Sequence, residues 1–233
     1  METFVLVHGA WGGSFGFRHV RRRLQKAGHE VFTPSLTGIG ERVHLASPQI
    51  TLSTHIQDVV NQILYEDLSE IVLLGYSYGG AVVTGSLEHV ADRVSHLVYL
   101  DAFVPSDGDS VLSLVGMPRS PLQIGSQHFL PPTPREFDDP SEGQFQNLRR
   151  VPQPMATALE PVRLSQPLES FGFRRTYIRA TQGDPSEIGN AHFATAAARA
   201  RESEAWSFHE IETNHMILSN RPDELANLLL EIA

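Results

Sequence analysis

Six short apolar runs, spaced along the chain and mostly separated by helix-like stretches, constrain this sequence more than any other feature. They are "FVLVHG", "EVFTPSL", "EIVLLGYS", "VSHLVYLDAFVP", "FRRTYIRAT" and "WSFHEIET". A nearly continuous apolar run of this length fits a strand buried on both faces, as in a parallel sheet. The intervening stretches have helical periodicity. In "SFGFRHVRRRLQKAGH", Phe17, Val20, Leu24 and Ala27 recur at helical spacing, Ser14 is placed to cap the start and Gly28 to end it. "TLSTHIQDVVNQILYE" puts Ile56, Val59, Val60, Ile63 and Leu64 on one face. "GGAVVTGSLEHVADR", "NAHFATAAARARESE" and "PDELANLLLEIA" continue the alternation. The expected fold is α/β: a mainly parallel, six-stranded sheet with helices on both faces.

One segment breaks the rhythm. Residues 105–169 hold most of the chain's 15 prolines and few periodic runs. They are too long for a plain connection and read as an inserted cap or lid. The core is then built from residues 1–104 and 170–233, a single domain overall, which 233 residues comfortably fill.

Within "VLLGYSYGGAVV", Gly75-Tyr76-Ser77-Tyr78-Gly79 fits G-x-S-x-G, with a strand before it and a helix after it. That setting is what a nucleophile elbow requires: a turn so tight that a Cβ at the flanking positions would clash, leaving the serine exposed above the sheet edge. A serine packed in an ordinary βα turn is the bland alternative. A serine hydroxyl is weakly nucleophilic and needs a base. Of the 11 histidines, His19, His55 and His89 fall in helices as surface or boundary residues, and His29 falls at a turn. His215 follows the last strand in "IETNHMILSN", where open α/β sheets place ligand-binding groups.

The acid that orients the base has two main candidates, each after a strand. Asp184 in "YIRATQGDPSE" has the expected chain order; Asp101 in "LVYLDAFVP" is the alternative, with Glu187 behind both. The amide of Tyr78 points toward an oxyanion on Ser77, and "HGAWGGSFGF" offers the amide of Ala10 as the second donor. His8 reads as a loop hydrogen-bonder. Trp11, Phe103 and Phe129 are candidate pocket walls, packing of the insertion onto the sheet being the alternative.

Composition excludes several classes. The formal net charge of −9 argues against nucleic acid and acidic membrane surfaces as partners. The chain has no cysteine, so disulfides, thiolate metal sites and a cysteine nucleophile are ruled out, and a reducing cytoplasm fits. No apolar run approaches the ~18 residues of a membrane span, and "METFVLVHGA" has no basic n-region of a signal peptide. No metal-ligand spacing such as H-E-x-x-H occurs, so neither metal nor cofactor is expected. The insertion has no arginine cluster except "LRR" at Leu148–Arg150, read as a solvated face, so its pocket is expected to be apolar.

With these residues in hand, the chain resembles the α/β-hydrolase superfamily, and within it the small bacterial esterase-like members and the plant methylesterase / hydroxynitrile lyase branch. "FVLVHGAWGG", "LTGIGER", "GYSYGG", "LVYLDAFVP", "PQPMATALEPV" and "NHMILSNRPDELANLL" carry the likeness over nearly the whole chain. The resemblance implies Ser77 as nucleophile, His215 as base, Asp184 as acid, Ala10 and Tyr78 as amide donors, and a mostly helical cap. Hydroxynitrile lyases of the branch carry threonine where Gly9 stands and lysine where Met216 stands, so cyanohydrin cleavage is not expected. Related dehalogenases and epoxide hydrolases use aspartate at the elbow, where this chain has Ser77.

The function expected is therefore hydrolysis of a small, largely apolar carboxylic ester through an acyl-serine. The same machinery would serve an amide, carbamate or lactone, and a ligand-binding receptor on a hydrolase scaffold is the rival of another class. The partner is a small ester-like molecule; a homodimer is common in such folds, but no residue pattern selects it.

Overall fold

A computed structural model of the chain describes residues 1–117, 128–185 and 187–233. Six strands form one sheet: β1 (Thr3–Val7), β2 (Glu30–Phe32), β3 (Ile71–Tyr76), β4 (Val94–Leu100), then, after an insertion, β7 (Arg174–Ala180) and β8 (Ser207–Ile211). Their order is β2-β1-β3-β4-β7-β8, and every neighbouring pair is parallel. β5 (Phe129–Leu130) and β6 (Gln153–Pro154) form a separate antiparallel pair within the insertion.

The alternation of side chains along each strand explains why both faces need covering. Phe4, Leu6, Val72, Leu74, Val98 and Leu100 project to one face, against α1 (Arg18–Lys26) and α9 (Pro222–Ile232) through Val20, Leu24, Leu225 and Leu229. Val5, Val7, Ile71, Leu73, Leu97 and Tyr99 project to the other. There they meet α2 (Leu52–Tyr65), α3 (Gly79–Val90) and α7 (Asn190–Glu202). At about 25 cal/mol per Å² of buried apolar surface, these two clusters are the main favourable term in folding. Ser14 does not cap α1: it begins a 3₁₀ turn and its hydroxyl donates to Glu41. Gly28 does end the helix, at φ +90°.

The insertion between β4 and β7 contains α4 (Val111–Leu114), α5 (Pro140–Asn147) and α6 (Ala156–Leu159) beside the β5–β6 pair. Residues 118–127 lie outside the described part. The rest is largely irregular, which corrects the mostly helical expectation: prolines lack an amide proton and interrupt helices. No helix among the described residues is long and apolar enough to cross a membrane.

Candidate active site

Three strand ends deliver the chemistry. β3 runs into Ser77, β4 into Asp101, and β8 into the loop carrying His215. The elbow glycines are there because nothing larger fits. A Cβ on Gly75 would lie 2.6 Å from the Gly79 carbonyl oxygen, and one on Gly79 would lie 2.5 Å from the Val7 carbonyl oxygen. Gly80, next in line, would meet the Phe103 carbonyl oxygen at 2.2 Å. Ser77 itself sits at φ 55°, a left-handed conformation that costs a non-glycine residue about 1–3 kcal/mol. The surroundings hold it there: its amide donates to Leu100 O (3.2 Å), and its carbonyl accepts from the amides of Gly80 and Phe103 (3.1 Å each). Asp101 (φ 42°) and Trp11 (φ 62°), on the two flanking loops, are left-handed as well.

Ser77 Oγ is 3.0 Å from His215 Nε2, and His215 Nδ1 is 2.7 Å from Asp101 Oδ2. A carboxylate only accepts, so Nδ1–H donates to Asp101 and the Nε2 lone pair faces the serine hydroxyl. The imidazole lies between two rings: Tyr76 stacks at 5.0 Å between centroids and Phe193 at 5.2 Å. The Tyr76 hydroxyl also donates to the His215 carbonyl (2.6 Å), fixing its backbone.

Asp101 is 1% exposed, and burying a carboxylate is costly unless it is paired. Its Oδ1 accepts from Arg179 and from the Ala180 amide (3.3 Å). Burial by itself would raise the Asp101 pKa; the hydrogen bonds and positive charges of His215 and Arg179 outweigh it and hold the carboxyl below the ordinary aspartate range.

The expected acid, Asp184, does not reach His215 Nδ1. It lies four residues past the end of β7 on an exposed turn, lining an outer cleft that His215 also borders. The reason is registry. Asp101 follows β4 immediately and its amide donates to Ile178 O (2.7 Å), so the carboxylate stays at the sheet edge. Past β7, Thr181 and Gln182 remain hydrogen-bonded to Ile211 and Thr213, which carries the chain outward before Asp184.

Ala10 and Tyr78 both border the cavity above Ser77, as the oxyanion reading requires. A Cβ on Gly9 would lie 2.9 Å from Ser77 Cβ, so this loop presses directly on the elbow. His8 secures it: Nε2 accepts from the Leu36 amide (3.1 Å) and Nδ1 donates to Gly9 O (2.9 Å). Burial lowers its pKa, consistent with a neutral structural imidazole. The Tyr78 phenol points away into a buried chain. It meets His55 Nδ1 at 2.9 Å, and His55 Nε2 donates to Thr37 O at 2.9 Å. His55 is therefore wholly buried, not a boundary residue, and burial lowers its pKa to about 4.

The cavity holds about 620 Å³ of empty space including its mouth. Trp11 and Phe103 line it, with Leu112, Val115, Leu130 and Ala158. Phe129 is not among the lining residues; its neighbour Leu130 is, since successive strand side chains face opposite ways. Trp11 ties the cavity to the insertion: its indole donates to Leu130 O (3.0 Å) and its amide to Gln153 Oε1 (3.2 Å). Among the described residues no cluster of potential metal ligands occurs.

A profile of the alpha/beta hydrolase family matches residues 4–228. The chain belongs to the alpha/beta hydrolase family. This hydrolase is 36% identical over 246 residues to a carbendazim hydrolyzing esterase from Nocardioides sp. (strain SG-4G), covering 98% of each chain. Among solved structures, an extracellular alpha/beta-hydrolase from a Paenibacillus species matches with a TM-score of 0.83 and 24% identity, over 99% of this chain and 98% of that one. A methylesterase from Arabidopsis matches with a TM-score of 0.79 and 20% identity, over 100% and 98%. At such identities these two structures speak for the fold alone.

Sequence reasoning did not single out Arg179 or Phe193 as parts of the hydrolase's site. An arginine inside an otherwise buried strand was the available signal for the first, because a buried guanidinium asks for a carboxylate nearby. Phe193, one turn into a helix after Gly189, offered none.

Proposed function

We propose that this hydrolase cleaves small, largely apolar carboxylic esters by two-step acyl transfer, with Ser77 as nucleophile, His215 as base and Asp101 as orienting acid. It is a carboxylic-ester hydrolase. The observation that carries the reading is the unbroken chain Ser77 Oγ–His215–Asp101 (3.0 Å and 2.7 Å), with Ser77 lining a mainly apolar cavity.

In the first step His215 Nε2 takes the Ser77 proton as Oγ attacks the ester carbonyl carbon. The amides of Ala10 and Tyr78 stabilise the oxyanion, a role in which one lost donor costs about 10²–10³ in turnover. His215, now cationic and balanced by Asp101, gives its proton to the departing alcohol. Water then attacks the acyl-serine with His215 again as base, and the acid leaves. Residues 105–169 act as a cap: Leu112, Val115, Met117, Leu130 and Ala158 supply apolar walls that exclude water and shape the acyl site.

The test is a panel of para-nitrophenyl and methyl esters run beside matched amides, carbamates and lactones. Steady turnover favouring the esters supports the reading; preference for another class assigns the same residues to that bond. A carbamate arm, carbendazim included, follows from the name of the Nocardioides relative. A burst followed by negligible turnover on every member would instead make the chain a ligand receptor.

A further inference from the structure

Two arginines of the insertion stand beside the cavity that holds Ser77 with hydrogen-bonding capacity that the described residues leave unused. Arg135 lines the cavity that holds Ser77. Arg150 lines a second cavity, which shares Ala10 with the first and is bordered by Gly9, Tyr76 and Met216. The "LRR" stretch is thus not a uniformly solvated face: Leu148 is 75% exposed, but Arg150 is half-buried.

The chain has gone to some length to place them. Asn147, the last residue of α5, clamps the backbone of Arg135 at both ends: Oδ1 accepts from its amide (3.2 Å) and Nδ2 donates to its carbonyl (3.0 Å). Three residues on comes Arg150, and the next amide, Val151, donates to Trp11 O (3.0 Å). One helix end therefore holds both arginines against the Ala10–Trp11 loop.

One carboxylate faces the two cations: Arg135 pairs with Glu187, and its Nε is buried with no hydrogen-bond partner among the described residues. Arg150 has the face of Trp11, 5.3 Å from ring centroid to Cζ, and buried Nε and Nη2 atoms without partners among the described residues. Unpaired buried donors are rare and costly, the more so on a cation. Burial and the charge of Arg135 lower the Arg150 pKa to about 10, which leaves it cationic at neutral pH. Planar guanidinium groups with unpaired N–H donors match a carboxylate and a phosphate alike, and the mainly apolar cavity beside them suits the singly charged carboxylate.

We propose that Arg135 and Arg150 form a carboxylate-recognising subsite beside Ser77, which selects otherwise apolar esters carrying an anionic group away from the scissile bond. This rests on the ester-hydrolase reading and refines its substrate class.

The test compares two probes of similar length, the mono-para-nitrophenyl ester of glutaric acid and para-nitrophenyl valerate, on the wild type, Arg150→Met, Arg135→Met and Arg150→Lys. For Arg150→Met, kcat/KM for the glutarate ester should fall at least about tenfold more than for the valerate, mainly through KM, as loss of a charge-assisted hydrogen bond predicts. Arg150→Lys should recover part of that selectivity. Free glutarate should inhibit the wild type competitively and the Met variants less. If glutarate inhibits no better than inorganic phosphate, the site is not carboxylate-specific and the proposal falls. An unchanged ratio between the two esters, or a parallel loss on both, assigns the arginines to packing and overturns it. Failure of the wild type to turn over either ester would instead strike the ester-hydrolase reading itself.

Discussion

His215 Nδ1 stands 2.7 Å from Asp101 Oδ2, while the other oxygen of that carboxylate receives Arg179. In the proposed triad His215 is thus oriented by a carboxylate just past β4, with the Arg179 cation on β7 balancing it. Asp101→Asn should lower kcat by about 10³–10⁴, because the amide no longer enforces the reactive tautomer, and should lower Tm as well, because Arg179 loses its buried counter-charge. Asp184→Asn should stay within about threefold, the scale of an exposed substitution. Steady-state turnover of one aryl ester by both variants checks this; equal small effects would remove Asp101 from the role.

Gly9 touches the elbow from the opposite loop. Its missing Cβ would sit 2.9 Å from Ser77 Cβ and 3.3 Å from the Tyr76 ring. Gly9→Ala should therefore displace the Ala10 amide and cost about 10²-fold in kcat, with the loss of an oxyanion donor as the guide. KM should move less. Kinetics alongside a thermal melt separates this from a general loss of fold.

Tyr76 contributes a ring and a hydroxyl to the same histidine. Tyr76→Phe keeps the stacking on His215 but removes the 2.6 Å bond to its carbonyl. A buried hydrogen bond of this kind is worth about 1 kcal/mol, or about 2–4 °C in Tm for a chain of this size. Turnover should fall by a few-fold as the His215 loop loosens, far less than for a triad change. Scanning calorimetry and kcat on one preparation give both numbers.

Acid should weaken the fold through His55. Burial lowers its folded pKa to about 4 from 6.5, so the unfolded chain binds the proton more readily. The contribution is fully present above pH 6.5 and is lost as pH falls toward 4, by about 3 kcal/mol in all. His96, also lowered to about 4 by burial, titrates in the same window. The specific test is therefore the difference: urea melts between pH 4 and 7 should show a shallower pH slope for His55→Gln than for the wild type. An identical slope would place His55 outside this linkage.

The sheet was legible because its four central strands, β1, β3, β4 and β7, are buried on both faces and so read as apolar runs without alternation, while the partly exposed edge strands β2 and β8 are marked by their place between helical stretches. Ser77 was legible because an elbow leaves a steric record, glycines at 75 and 79 that the carbonyls of Gly79 and Val7 make obligatory. His215 was legible from its place after the last strand. The acid was not, since Asp101 and Asp184 both follow strands, and chain order alone favours Asp184, whereas His215 Nδ1 meets Asp101. What separates them is a registry effect, the Asp101 amide bonded to Ile178 O while the chain beyond β7 follows β8 outward. The buried arginines were hidden for a related reason: "LRR" looks like any charged run until the pinning of Val151 to Trp11 turns its last residue inward.

The central claim, an acyl intermediate on Ser77, is tested most directly by intact-mass and peptide-mass measurement of enzyme acid-quenched during turnover of a slowly deacylating aryl ester. The account predicts one acyl adduct per chain, located on the peptide containing Ser77, absent from Ser77→Ala and accumulating in a burst stoichiometric with released phenol. Turnover by Ser77→Ala at the wild-type rate, or an adduct on any other residue, would contradict it.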